Sequence, residues 1–207
     1  MKKEIFSEVT YSMNKKTMYF GIILVIIYFI TVGTFISTQS PVVLTIWELL
    51  TIISGPVVLL VLLEIADEIN ITAKYKNLML VFLGCNCTLT GLAHLINLCV
   101  TRKLMSQGME IPTYYQIGYI TSTETVADYL GWGFFMGLAF FSMAAGTSKE
   151  KSIQFYKISF IIDGILCMSG FIGALWINEN LWYLAPAAYG IGIGILCIKG
   201  LKKTSSL

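Results

Sequence analysis

Residues 20–36 of this chain read FGIILVIIYFITVGTFI, an apolar run without a charged side chain. A transmembrane helix needs about 20 mostly apolar residues to cross a hydrocarbon core about 30 Å thick. The run lacks the alternation of a β-barrel strand, so it predicts a helix. It exceeds the roughly 7–15 apolar residues of a secretory signal, and the following STQSPVV (37–43) offers no small-residue cleavage site. We therefore expect this helix to be retained.

The whole chain has the composition of a membrane protein. Of its 207 residues, 56% are hydrophobic and 13% are charged, and the mean hydropathy is +0.76. An ordinary soluble domain has about 25% charged residues. The sequence predicts an all-α membrane protein, a single transmembrane domain over residues 1–207 with six helices. The expected spans are 18–37, 42–66, 78–100, 126–146, 153–176 and 181–200, with an outer loop at 101–125.

The lysines and arginines predict the orientation of these spans. Only Arg102 and Lys103, of 14 basic residues, fall on the side of the outer loop. The others are Lys2, Lys3, Lys15, Lys16, Lys74, Lys76, Lys149, Lys151, Lys157, Lys199, Lys202 and Lys203. Because basic residues concentrate in cytoplasmic loops, we expect a multi-pass protein of the cell membrane with both termini in the cytoplasm. The slight excess of basic over acidic residues reflects this topology, and we expect no surface that binds nucleic acid.

The outer loop carries three tyrosines, Tyr114, Tyr115 and Tyr119, shortly after Pro112. Amphipathic aromatic rings are favoured at the level of the lipid headgroups, which indicates an interfacial segment. The alternative is a lid over an outward-facing cavity, since long loops of this kind often carry function.

Three ionisable residues of consecutive spans fall at a similar depth. His94, the only histidine, lies about 9 Å from the outer end of the third span at 1.5 Å per residue. Glu48 lies at a comparable depth in the second span, and Asp128 lies near the outer end of the fourth. A charge at the centre of a membrane helix costs about 2.5–3.5 kcal/mol and normally has a partner. We expect that these three side chains can form one site.

The third span has a polar seam formed by Asn86, Thr90, His94 and Asn97. Their spacing of four, four and three residues places them on one helical face. One interpretation is that the seam only joins helices, at about 0.6 kcal/mol per hydrogen bond. The other is that it lines the path of a ligand or an ion.

Further polar residues lie deeper in the bundle. Asp163 falls near the bilayer midplane, where a carboxyl group without a cation is expected to be protonated or in contact with water. It either carries protons or donates one hydrogen bond between helices. Glu64 and Lys157 have comparable depths and opposite charges, which indicates an ion pair or two side chains that extend to the interface. Gly55 and Pro56 predict a kink in the second span.

The motifs of several enzyme classes are missing from the sequence. One histidine cannot supply a paired-histidine haem or zinc site, and neither HExxH nor a Walker loop occurs. Cys85 and Cys87 should point to different faces of a helix. We expect no metal and no cofactor, assign no catalytic residue, and regard enzymatic activity as unsupported.

Three functions remain as hypotheses. The first is a membrane protein that binds or transports a small solute, coupled to protons through Asp163 and the His94 group. The second is a non-catalytic subunit or regulator of a larger complex, with a membrane partner or a second copy of the chain. The third is an intramembrane enzyme acting on lipid. They differ in whether Glu48, His94 and Asp128 meet around a cavity.

Overall fold

The structure is a computed structural model that describes residues 13–119 and 121–204. In this part of the chain, six helices are long and apolar enough to cross a membrane, which confirms the predicted number of spans. They are α1 (Lys15–Thr38), α2 (Pro41–Glu68), α3 (Ala73–Ser106), α4 (Thr123–Gly146), α5 (Lys151–Trp176) and α6 (Glu179–Lys202). No strand occurs in the same residues. Lys2 and Lys3, used in the orientation argument, lie outside them.

The helices form a closed ring. Each helix packs on the one that follows it, and α6 packs on α1. Four of the five connections between these helices are short; Gln39 (φ 51°) turns the chain between α1 and α2, and Asn70 (φ 53°) turns it between α2 and α3. Short connections favour antiparallel neighbours, so the ring encloses one interior lined by consecutive helices.

Helix α3 is longer than the sequence analysis predicts. The expected span ends at residue 100, whereas the helix continues through a π-helical turn, Asn97–Thr101, and a last α-helical turn, Arg102–Ser106. Arg and Lys are good helix formers, and the Arg102 guanidinium donates a hydrogen bond of 2.9 Å to the Pro41 carbonyl at the start of α2. The connection to α4 is therefore 107–122 rather than 101–125.

Three π-helical segments interrupt the helices in the described residues. They are Asn97–Thr101 in α3, Leu130–Phe135 in α4 and Ala187–Gly192 in α6. Such segments are rare and occur frequently at functional sites. Here they lie beside ionisable residues: the first begins at Asn97, three residues after His94, and the second begins two residues after Asp128.

The apolar core fills the half of the bundle opposite the outer loop. Large side chains with little or no exposure meet there, including Leu62, Met79, Met143, Tyr156 and Phe160. Helix α2 remains helical through Gly55 and Pro56. A methyl group at Gly55 would come within 2.9 Å of the Cys87 sulfur, so this glycine permits close contact between α2 and α3.

Candidate functional site

Glu48, His94 and Asp128 lie in contact between α2, α3 and α4. Nδ1 of His94 lies 3.2 Å from a carboxylate oxygen of Glu48, and Nε2 lies 3.4 Å from a carboxylate oxygen of Asp128. The first contact is a hydrogen bond, and the second has ion-pair distance without hydrogen-bond geometry. The side chains are 3%, 11% and 14% exposed, so water screens them little. We call these three residues the outer acid cluster.

Asn97 completes the contacts of Glu48. Its side-chain amide donates a hydrogen bond to the second carboxylate oxygen of Glu48. Asn97 follows His94 by three residues, so one face of α3 supplies both donors to the same carboxylate. Glu48 is only 2% exposed, so hydrogen bonds with two residues of α3 replace its contacts with water.

The remaining residues of the polar seam are buried against glycines of the neighbouring helices. Asn86 is 0% and Thr90 1% exposed. A methyl group at Gly131 of α4 would come within 2.6 Å of the Thr90 hydroxyl oxygen, and one at Gly55 of α2 within 3.4 Å of the Asn86 side-chain oxygen. The seam thus faces the interior of the ring, as the sequence spacing predicts.

Several polar atoms of this seam, and one atom of the neighbouring Trp132, are buried without a hydrogen-bond partner in the described residues. They are both side-chain polar atoms of Asn86, the Thr90 hydroxyl and the indole nitrogen of Trp132. Buried polar groups are almost always hydrogen-bonded to protein, water or a ligand. The interior therefore offers unused donors and acceptors next to the outer acid cluster.

A second hydrogen-bond network, which the sequence analysis missed, joins α1 to α2 beside Glu48. The Trp47 indole donates to the Tyr28 hydroxyl at 2.8 Å, and the Thr51 hydroxyl donates to the Trp47 carbonyl at 3.0 Å. The Tyr28 and Thr51 hydroxyls lie 3.2 Å apart. Since Thr51 uses its proton on the carbonyl, Tyr28 donates to Thr51. A search for hydroxyl groups inside apolar windows could have found Tyr28 and Thr51.

Tyr28 also lines a small, partly open cavity of about 40 Å³ with Ser54, Trp132 and Tyr189. A cavity needs about 10–15 Å³ to hold one water molecule, so this space fits water or a very small solute. The Trp132 and Tyr189 rings pack with centroids 4.3 Å apart. Aromatic and hydroxyl groups thus meet between α1, α2, α4 and α6.

Asp163 on α5 has different surroundings from the outer acid cluster. It is 5% exposed, and one of its carboxylate oxygens has no hydrogen-bond partner in the described residues. It makes no ion pair in that part of the chain. Its carboxyl group lies against Gly192, the last residue of the π-helical segment in α6, where a methyl group would overlap it.

Glu64 and Lys157, which the sequence analysis considered as an ion pair, have separate partners. Glu64 accepts a hydrogen bond of 3.0 Å from the backbone N–H of Asn14 at the start of α1. The Lys157 ammonium lies 3.5 Å from the Thr147 carbonyl, to which it donates. Each side chain therefore contacts the end of a neighbouring helix.

A cavity of about 550 Å³ lies at the end of the bundle that carries the 107–122 connection, between α3, this connection and α4; we call it the outer cavity, after the predicted orientation. None of the three cluster residues lines it. It is lined instead by Ala93 and Ala127, which precede His94 and Asp128 in sequence. The connection covers this cavity, and its residues Tyr114, Tyr115 and Tyr119 are half exposed.

The apolar helices are compatible with a multi-pass integral membrane protein. Comparisons of the chain with protein-family models, curated proteins and solved structures find no match. Among the residues that the structure describes, no group of three or more His, Cys, Asp or Glu residues is arranged to hold a metal ion.

Proposed function

We propose that this protein binds a small solute inside the membrane and couples its binding or transport to protons. The observation that carries the proposal is the contact of Glu48, His94 and Asp128 in the bundle interior, at 3.2 and 3.4 Å. Ionisable residues within membrane spans are costly and commonly mark the path of a substrate or a proton.

The charges of the outer acid cluster support proton coupling. With both carboxyl groups ionised and the imidazole protonated, the cluster has a net charge of −1. In the described residues, no Lys or Arg forms an ion pair with it. Binding one proton or one cationic group therefore makes the cluster neutral, and the two events compete. Protons shared within such a group belong to the group rather than to one residue.

The buried polar groups beside the cluster support solute binding. Asn86 offers both a donor and an acceptor, Thr90 a hydroxyl and Trp132 a donor. Of these groups, Trp132 lines the cavity of about 40 Å³, which holds only a compact molecule. A small ammonium ion matches the negative charge of the cluster and the acceptors that Asn86 and Thr90 offer.

The predicted orientation of the helices gives the proposed proton path a direction. With both termini in the cytoplasm of a cell-membrane protein, as the basic residues predict, the outer acid cluster faces the outside and Asp163 lies deeper. Asp163 then offers a second proton position between the cluster and the cytoplasm. The Asp163 carboxyl group lies against α6 at Gly192, in space that any other residue there would fill with its side chain.

Proton flux tests this function directly. The protein is reconstituted in liposomes that contain a pH-sensitive dye, and proton exchange is driven by a methylammonium gradient, with protein-free liposomes as the blank. We expect methylammonium-dependent flux in wild type and its loss in His94→Gln and Asp128→Asn. Glu179→Gln, which alters an exposed acid at the start of α6, is the matched control. Folded cluster variants with wild-type flux would refute the proposal.

A non-catalytic membrane subunit or regulator is the second candidate. The contacts of Glu48 with His94 and Asn97 favour it, because they close the seam with side chains of the protein itself. This candidate predicts no flux in any variant and recovery of the native protein with a membrane partner or as a homo-oligomer. The same cluster substitutions would then weaken the assembly.

An intramembrane enzyme acting on lipid is the third candidate, and the protein meets one of its two requirements. An imidazole between two carboxyl groups is an arrangement used in acid–base catalysis. The other requirement is a lipid-accessible cleft lined by those groups, and the large outer cavity is lined by their neighbours Ala93 and Ala127 instead. This third function is therefore the least supported.

A further inference from the structure

The outer cavity extends along the membrane-facing side of α3. Leu92, Ile96, Val100 and Leu104 line it at intervals of four residues. Twelve residues of helix rise about 18 Å, so the apolar wall is long and narrow. Leu92 and Val100 are 53% and 49% exposed, which places one side of the wall against lipid. The volume of about 550 Å³ lies within the usual range of small-molecule sites, about 300–1,000 Å³.

The lining of the cavity also includes two carboxyl and two hydroxyl side chains. They belong to Glu110, Glu124, Thr101 and Thr123. Glu124 is only 5% exposed, and one of its oxygens accepts a hydrogen bond of 2.9 Å from the Ser122 hydroxyl and lies 3.1 Å from the Thr123 hydroxyl oxygen. No Lys, Arg or His is among the described residues that line the cavity. A buried carboxylate normally has a cationic partner, so the cavity complements a positive charge.

Backbone and hydroxyl contacts hold the cover of this cavity in place. The Thr123 hydroxyl donates to the Tyr114 carbonyl at 3.0 Å, and the Gly118 N–H donates to the Thr125 hydroxyl at 2.8 Å. The Thr101 hydroxyl donates to the Tyr115 carbonyl at 3.4 Å. The connection is thus attached to both α3 and α4, and a preformed cavity binds its ligand without the cost of ordering a loop.

We propose that the outer cavity is a binding site for a single-chain cationic amphiphile, such as a long-chain amine. The hydrocarbon chain lies along Leu92, Ile96 and Val100, and the ammonium group contacts Glu124. The molecule enters from the outer leaflet past Leu92 and Val100. This site is distinct from the outer acid cluster, from which Ala93 and Ala127 separate it.

Photolabelling in nanodiscs of phosphatidylcholine tests the site. The probe is dodecylamine with a diazirine in its chain, and labelled residues are mapped by mass spectrometry. We expect saturable labelling between Leu92 and Leu104 that unlabelled dodecylamine displaces. Dodecanol and dodecanoate should displace it at least about tenfold less well, the factor that corresponds to about 1.4 kcal/mol for a charged contact.

Two variants separate the charge from the cavity. Glu124→Gln should remove the preference for dodecylamine over dodecanol. Ala127→Phe should fill the cavity and reduce labelling at least about tenfold. Leu95→Phe, on a half-exposed residue of α3 outside the cavity, is the control and should label like wild type. Unsaturable labelling, equal displacement by dodecanoate, or full labelling of folded Ala127→Phe would each overturn the proposal.

Discussion

The outer acid cluster and Asp163 place carboxyl groups in the same bundle interior by different means. Glu48 and Asp128 contact the imidazole of His94, and Asn97 occupies the remaining oxygen of Glu48. Asp163 instead lies against the backbone of Gly192 and forms no ion pair in the described residues. Contacts with polar and charged side chains offset the cost of burying the carboxyl groups of the cluster. The Asp163 carboxyl group instead occupies the space that Gly192 leaves because it has no side chain. The first arrangement joins helices through side-chain contacts, and the second buries a carboxyl group without an ion pair in the described residues.

Both sites lie beside π-helical segments. The cluster lies next to π-helical segments of α3 and α4, and Asp163 faces the segment of α6. A π-helical turn inserts one residue and changes which side chains face the interior beyond it. Substitutions can therefore test which arrangement contributes to stability and which to function.

Replacement of Glu48 by leucine should have the largest effect on stability. It leaves His94 and Asn97 buried without their common acceptor, and breaking a buried ion pair typically costs about 3–5 kcal/mol. We expect the free energy of unfolding, measured by SDS titration in mixed micelles, to fall by about this amount.

Glu48→Gln provides the matched comparison. Glutamine keeps an oxygen for the Asn97 amide but removes the charge, so its effect should be about half as large or less. An equal loss in both variants would attribute the effect to charge alone, and no loss in either would contradict the cluster's stabilising role.

A side chain at position 192 should have the next largest effect. The added methyl group of Gly192→Ala overlaps the Asp163 carboxyl group, and overpacking of this kind costs about 1–3 kcal/mol. Gly194→Ala is the control, because its methyl group would lie 3.7 Å from Val25, an ordinary contact distance. Thermal unfolding should separate the two variants, and equal midpoints would show that α5 and α6 do not pack closely at Asp163.

The sequence was sufficient to predict the helices and the level of the acid cluster, but not its geometry. Six apolar windows predicted six helices, and five of them lie within about three residues of the predicted bounds, since length and composition decide whether a helix can cross the membrane. Depth along the helix placed Glu48, His94 and Asp128 at one level. The extension of α3 could not be predicted from hydropathy, because Arg102 and Lys103 suit both a helix end and a loop. The three π-helical segments have no hydropathy signal either. The position of Asp163 opposite Gly192 depends on the rotation of two helices, which a hydropathy pattern does not determine.

Removal of the Tyr28 hydroxyl should have a smaller effect than either change above. Tyr28→Phe deletes the acceptor of the Trp47 indole and the donor to Thr51, and such a loss costs about 1 kcal/mol. Tyr19→Phe, at a residue that is 55% exposed on the same helix, should leave stability unchanged. Unfolding in mixed micelles measures both, and equal values would show that the α1–α2 network contributes nothing.

Asp163→Asn should change stability least and function most. Without an ion pair to break, the substitution removes at most one interhelical hydrogen bond, about 0.6 kcal/mol on average. Asp128→Asn, by contrast, removes a charge from contact with His94 and should lower both stability and proton flux. If Asp163 carries protons, Asp163→Asn should unfold like wild type and yet lose flux in liposomes. A loss of stability equal to that of Asp128→Asn would show that Asp163 joins helices as the cluster does, and retained flux would remove it from the proton path.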